Sequence, residues 1–187
     1  DVIEILRNEG GKIAAVCIND FTETLGVNDR VQLAESEALL RDRINEKLMR
    51  SGVTIVDPTT TWVSADSTIA QNVTLLPGTV IGGKSSIATG AVIGPRTMLV
   101  DCVVASGAEV KESHATKAVI GENASVGPYT YLRPGTNLAA NTQAGAFVEM
   151  KNATLGEGSK VPHLSYVGDA TIGEGSNIGA ATVFVNY

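Results

Sequence analysis

A few residues in the last third of the chain have the types and spacing to do chemistry together. His163 stands in Val161-Pro-His-Leu-Ser-Tyr166, flanked by no charged residue. An imidazole titrates near neutrality, so it can act as a general base. The plainer reading is a partly buried structural histidine. Arg133 and Lys151 lie 18 residues apart, each directly after a large apolar residue. If the chain repeats at that interval, the two cations stack at about 4.8 Å, one strand spacing. They then repel unless an anion lies between them, and a phosphate suits that place. The alternative is two solvated side chains partnered by Glu149. Tyr166 falls near Glu149 on the same count. A carboxylate, a phenol and an imidazole thus gather at one edge beside the cation pair. Tyr166 read plainly is a corner aromatic, and Asn177 and Asn186 are turn residues. The ladder shows no nucleophile triad, no Walker loop and no metal cluster.

Stacking requires a repeat, and the chain has one. Aliphatic residues recur every six positions at Val63, Ile69, Leu75, Ile81, Ile87, Ile93 and Leu99. Four residues after each comes Ser67, Val73, Thr79, Ser85, Ala91, Thr97 and Val103, all small or β-branched. A second run has Ile120, Val126, Leu132, Leu138, Ala144 and Met150, with Ala124, Thr130, Thr136, Thr142, Val148 and Thr154 in the second slot. Five-residue steps then lead to Leu155, Val161 and Val167, and to Ile172, Ile178 and Phe184. A period of six fits neither an amphipathic helix nor strand alternation. It fits a short strand and a turn, repeated, with Gly, Asn and Asp at the corners. Stacked coils bury a continuous apolar column, which predicts a parallel β-helix.

The rest of the chain frames this ladder. Net charge is −6 and the pI is about 4.9, which points away from nucleic acid and anionic membranes. Aromatics are 4% against 43% hydrophobics, as expected of a core built from small aliphatics. Cys17 and Cys102 lack metal-type spacing and read as idle thiols in a reducing compartment. No apolar run is long enough for a membrane span and no secretory leader is visible, so the expected location is cytoplasmic. Val2 to Leu6 suggest the end of a helix, and Lys12–Ile18 a buried strand. Asp29 to Arg50 reads as one long helix, capped by Asn28 or Asp29 and stopped at Ser51-Gly52. Residues 105–119 interrupt the hexad and read as a surface loop in which His114 is solvated. The chain begins without Met inside an amphipathic pattern, which suggests a piece of a longer protein.

The runs Tyr131-Leu-Arg-Pro-Gly135, Gly145-Ala-Phe-Val-Glu-Met-Lys151, His163-Leu-Ser-Tyr-Val-Gly-Asp-Ala170 and Ser176-Asn-Ile-Gly-Ala-Ala181, closing on Asn186-Tyr187, carry a resemblance. They resemble the bacterial bifunctional N-acetylglucosamine-1-phosphate uridyltransferase/glucosamine-1-phosphate acetyltransferase family, within the hexapeptide-repeat acyltransferases. The similarity covers essentially the whole chain. It implies a mainly β fold: a left-handed parallel β-helix whose triangular coils take three hexads. An α/β remnant of a nucleotidyltransferase domain and a connecting helix would precede it. Residues 1–28 would close the Rossmann-like uridyltransferase domain, 29–52 form the linker helix, and 53–187 the acetyltransferase domain.

The implied chemistry is acetyl transfer from acetyl-CoA to the amine of glucosamine 1-phosphate. The longer enzyme then couples N-acetylglucosamine 1-phosphate to UTP, giving UDP-N-acetylglucosamine for cell-wall synthesis. By resemblance His163 is the catalytic base, and Arg133, Lys151, Tyr166 and Asn177 bind the sugar phosphate. Ala180, Asn186 and Tyr187 contact acetyl-CoA, and Asn28 is a ligand to Mg²⁺ and the UDP-sugar. Glu149 is a candidate for orienting His163, although the repeat offsets the two along the strand. The family assembles as homotrimers with the acetyl site between subunits. Its UTP-binding loop and Mg²⁺-binding Asp are expected upstream of Asp1, and further coils beyond Tyr187, so activity of this chain alone is in question. Two other readings stand beside this one: a hexapeptide acyltransferase for another sugar phosphate, and a non-catalytic β-helix. A zinc-dependent hexapeptide enzyme is disfavoured, since His114 and His163 are the two histidines of the chain.

Overall fold

The computed structural model describes residues 1–184, so the expected acetyl-CoA contacts Asn186 and Tyr187 lie outside the described residues. The chain divides into two compact units, residues 1–37 and 38–187. In the first, helix α1 (Val2–Asn8) is capped by Asp1, whose carboxylate accepts from the Ile3 amide at 2.9 Å. A short 3-10 turn follows at Phe21–Thr24. The strand expected at Lys12–Ile18 is not formed, and those residues are exposed. A strand persists by exchanging hydrogen bonds with a neighbour, and no described strand pairs with this run.

Helix α2 (Arg30–Arg50) begins where its cap requires. Of the two expected caps it is Asp29 that acts, its carboxylate accepting from the Gln32 amide at 2.8 Å. The helix stops at Gly52, whose φ of 96° suits a residue without Cβ. Within the second unit its C-terminal half closes one end of the ladder. Buried Asn45 donates to the carbonyls of Pro58 (3.0 Å) and Thr61 (2.9 Å). Arg41 lies 5.0 Å over the Trp62 ring, and Ile44 and Leu48 pack on the core.

From Thr54 onward the chain winds as a parallel β-helix of about seven turns. Among the described residues every strand pairing is parallel, between strands one coil apart, and the pairings fall into three ladders, the three sides of the coil. One side carries Leu75, Ile93, Val110, Val126, Ala144 and Val161 inward. The second carries Val63, Ile81, Leu99, Ala115, Leu132, Met150 and Val167, and the third Ile69, Ile87, Val104, Ile120, Leu138, Leu155 and Ile172. All are buried. The aliphatic positions expected from the hexad therefore point inward, with Ile178 and Phe184 partly buried at the last described coil. Buried hydroxyls of the second slot are satisfied locally. Thr136 donates to the Arg133 carbonyl at 2.8 Å and Ser165 to the His163 carbonyl at 3.0 Å.

The expectation of a loop over residues 105–119 is corrected. Three strands, Glu109–Val110, His114–Thr116 and Val119–Ile120, continue the ladder there. The sides from Leu99 to Val104, Val110 to Ala115 and Ala115 to Ile120 are each five residues long, and Ala115 is the inward residue. Fixed counting at six loses the register at such steps. It likewise misplaces two small residues: Val103 faces solvent and Cys102 is buried, while Ala153 rather than Thr154 takes its coil's fully buried slot.

The corners repeat as well. One column holds Asn72, Gly90, Gly107, Asn123, Asn141, Gly158 and Gly175 at positive φ, as turn chemistry predicts. The corner between the first two sides is different. Arg96, Glu112, Tyr129, Phe147, Leu164 and Ala181 occupy it, all with φ between 45° and 59°. Bulky residues rarely take that conformation.

Candidate functional site

The second side of the coil brings Arg133, Glu149, Lys151 and Tyr166 together. Strand Tyr131–Leu132 pairs with Gln143–Lys151, setting Tyr131 opposite Glu149 and Leu132 opposite Met150. The same register sets Arg133 opposite Lys151, so the two cations stand one coil apart as their spacing predicts. Strand Lys160–Gly168 follows, with Tyr166 opposite Glu149 and Gly168 opposite Lys151. The outer face thus reads Tyr131 and Arg133, then Glu149 and Lys151, then Tyr166 and Gly168.

Each cation holds a carboxylate. Arg133 Nη1 donates to Glu149 Oε1 at 2.9 Å. That hydrogen bond raises the guanidinium above its ordinary value, and the Tyr166 and Tyr131 hydroxyl groups act in the same sense. Lys151 Nζ lies 3.6 Å from Asp169 Oδ2, and Asn152 donates to Asp169 Oδ1 at 2.8 Å. Both pairs are partly exposed, so solvent screens them and neither contributes much to stability. An arriving dianion can replace such carboxylates at small cost.

His163 lies opposite Ala146, just before the corner residue Leu164. It is exposed, and its imidazole makes no hydrogen bond among the described residues. Glu149 is three positions along the strand from the residue opposite His163, and its carboxylate is bonded to Arg133. The expectation that Glu149 orients His163 therefore has no contact to carry it, because parallel register keeps residues opposite their own partners. Gly145 sits beneath this point. A Cβ there would collide with the Pro162 carbonyl oxygen, so the strand bearing His163 runs close over it.

Two further features were not legible beforehand. Tyr166 lies over Gly168: a Cβ on that glycine would be 2.5 Å from the Tyr166 hydroxyl oxygen and 2.7 Å from Cε1. Tyr129 and Phe147 stack at the corner with ring centroids 5.3 Å apart, and both are more than half exposed, as is Leu164. Asn177 bridges to Lys160 on the first side and is exposed, and Ala180 is exposed beyond it.

Asn28 lies exposed in the first unit, its amide donating to Gln32 Oε1 at 2.7 Å. Among the described residues no three His, Cys, Asp or Glu side chains group to hold a metal ion. Mg²⁺ demands an octahedron of oxygens, and one amide oxygen does not make that site.

No family model matches the chain. It is 54% identical over 187 residues to the bifunctional protein GlmU of Kineococcus radiotolerans, covering all of this chain and 38% of that protein. The GlmU proteins of Mycolicibacterium vanbaalenii and Corynebacterium efficiens are 56% and 55% identical, with the same coverage. The chain belongs to the GlmU family. It spans about two fifths of the length of these relatives. Among solved structures, the acetyltransferase domain of PglB from Neisseria gonorrhoeae superposes with a TM-score of 0.51 at 18% identity, over 73% of this chain and 62% of that one. GDP-perosamine N-acetyl transferase from Caulobacter crescentus gives 0.50 at 20% identity, over 94% and 86%. The fold is that of the hexapeptide acetyltransferases, a left-handed β-helix.

Proposed function

We propose that this GlmU-family chain carries a site for acetyl transfer from acetyl-CoA to the amine of glucosamine 1-phosphate. The observation that carries the reading is the outer face of the second side: Arg133 and Lys151 one coil apart, Tyr166 beside them, and across the next corner an exposed His163 whose imidazole makes no hydrogen bond among the described residues. The two cations would hold the phosphate, exchanging Glu149 and Asp169 for it, and so fix the sugar relative to His163. Tyr166 and Asn177 would meet the sugar. An ammonium cannot attack a thioester, so His163 would take a proton from the amine. The amine nitrogen would then bond to the acetyl carbon, the carbon–sulfur bond would break, and the thiolate would receive the proton. Ala180, Asn186 and Tyr187 are assigned to acetyl-CoA, the compound bound to the Neisseria domain on this fold.

Assembly belongs to the same reading. The ridge of Tyr129, Phe147 and Leu164 is apolar, exposed and at positive φ, which supports a second copy covering it in a homotrimer. Uridyl transfer from UTP to N-acetylglucosamine 1-phosphate is proposed for the longer protein, to whose Mg²⁺ and UDP-sugar site this chain would add Asn28. Among the described residues no helix is long and apolar enough to cross a membrane. The cytoplasmic location belongs to this reading through its proposed substrates, acetyl-CoA and UTP, and not through that absence.

The test is thiol release from acetyl-CoA with a panel of amino-sugar phosphates. His163→Ala is expected to lower turnover by about 10²–10⁴-fold with sedimentation unchanged. Arg133→Ala is expected to raise the sugar-phosphate KM at least about tenfold with smaller change in kcat. Near-normal turnover in the histidine variant removes the assignment. Preference for another amino-sugar phosphate would move the acceptor and keep the site.

A further inference from the structure

The corner between the second and third sides holds Gly83, Asp101, Lys117, Gly135, Asn152 and Asp169, all at positive φ. Met150 to Leu155 and Val167 to Ile172 are five-residue steps, so this corner follows directly on Lys151 and on Gly168. Asn and Asp are among the few residues with a side chain that take such a conformation readily. Here their side chains also reach each other and the cation. Asn152 Nδ2 donates to Asp169 Oδ1 at 2.8 Å, and Asp169 Oδ2 lies 3.6 Å from Lys151 Nζ. The Asp169 amide donates to the Lys151 carbonyl at 2.9 Å, and the Asn152 amide to the Pro134 carbonyl at 3.1 Å. Asn152 is itself seated over Gly135, where a Cβ would lie 3.0 Å from its Oδ1.

The two carboxylates of the cation face are therefore held differently. Glu149 ends a longer side chain tied to the Arg133 guanidinium. Asp169 has a short side chain on a hydrogen-bonded corner, and Asn152 holds one of its oxygens without help from Lys151. When an anion draws the two cations, Glu149 can swing clear, whereas Asp169 stays. A fixed carboxylate beside a bound phosphate repels it, and the ammonium has that carboxylate to return to when the phosphate leaves.

Resting on the assignment of the phosphate to Arg133 and Lys151, we infer that Asp169, anchored by Asn152, is a positioning residue that limits how tightly the sugar phosphate is held. Acetyl transfer leaves the phosphate untouched, so substrate and product are gripped alike. A tighter grip would hold back the product without speeding the chemistry. Asp169 supplies the competing charge that lets the acetylated sugar phosphate go, and Asn152 keeps that charge in place.

Calorimetric titration with N-acetylglucosamine 1-phosphate, with release rates from stopped-flow displacement, tests this. Asp169→Asn keeps the side-chain length, the tolerance of positive φ and the oxygen that Asn152 bonds, and removes the charge. It is expected to bind the sugar phosphate about three- to tenfold more tightly and to release it correspondingly more slowly. Asn152→Gly fits the same backbone, removes the amide that holds Asp169 and is expected to tighten binding by a smaller factor. A merely structural role for the pair would instead loosen binding and lower the melting temperature. Weaker or unchanged affinity in Asp169→Asn therefore overturns the inference, and unchanged affinity in Asn152→Gly removes the anchor. Lys151→Ala separates the two layers. If it leaves binding untouched, or if the unsubstituted chain binds no sugar phosphate, the phosphate assignment falls and the inference with it. If it weakens binding while Asp169→Asn does not tighten it, the role of Asp169 alone is removed.

Discussion

Gly168 shows how one missing side chain can place another. Tyr166 lies over it because no Cβ intervenes. In Gly168→Ala the methyl would occupy the ring's position, and the phenol must swing away from Lys151. The backbone at Gly168 is not at positive φ, so the strand itself tolerates alanine. The expected result is a several-fold rise in sugar-phosphate KM with little change in melting temperature, read by steady-state kinetics and thermal unfolding. A large fall in melting temperature without a KM change would make the glycine structural. Asp169 acts at the same scale through Lys151, and Glu149 through Arg133.

At the scale of the element, a coil is a set of three sides whose inward residues must fill one cross-section. Leu132 fills a full side and Ala115 a shortened one, directly opposite each other in register. Leu132→Ala is expected to cost about 2–5 kcal/mol through the cavity it opens. Ala115→Leu adds bulk at a fully buried position between two five-residue sides and is expected to cost about 1–3 kcal/mol. Urea unfolding of both variants reads the two values. A neutral Ala115→Leu would mean that the short sides leave space inside the coil. Much of the ladder was legible from the period alone, since a large inward residue returns every six positions wherever the sides are full. The interval 105–119 was not, because five-residue sides and an inward alanine present neither the spacing nor the size that counting looks for.

For the whole molecule, exposure of the two thiols reports on whether the ladder is closed. Cys17 is exposed in the first unit. Cys102 is buried in the solenoid, and burial pushes its thiol up, so thiolate is scarce there. At mildly alkaline pH one thiol per chain is expected to react rapidly with a disulfide reagent, and the second only after denaturation. Two rapid reactions in the native protein would show the coil at Cys102 opening. The apolar corner ridge makes a second molecular prediction. Phe147→Glu should dissociate any assembly formed through it, lowering the sedimentation coefficient while far-ultraviolet dichroism is retained.

The sequence by itself determined the solenoid and the pairing of its two cations. A hexad period admits few backbones, and residues 18 apart on full sides must meet, so the period alone sets Arg133 beside Lys151. The tertiary structure decided which carboxylate each cation holds, that Tyr166 rests on Gly168, and that residues 105–119 continue the ladder. These depend on contacts between coils and on sides of unequal length. Local pattern records the identity of each residue, whereas register one coil away depends on every step between.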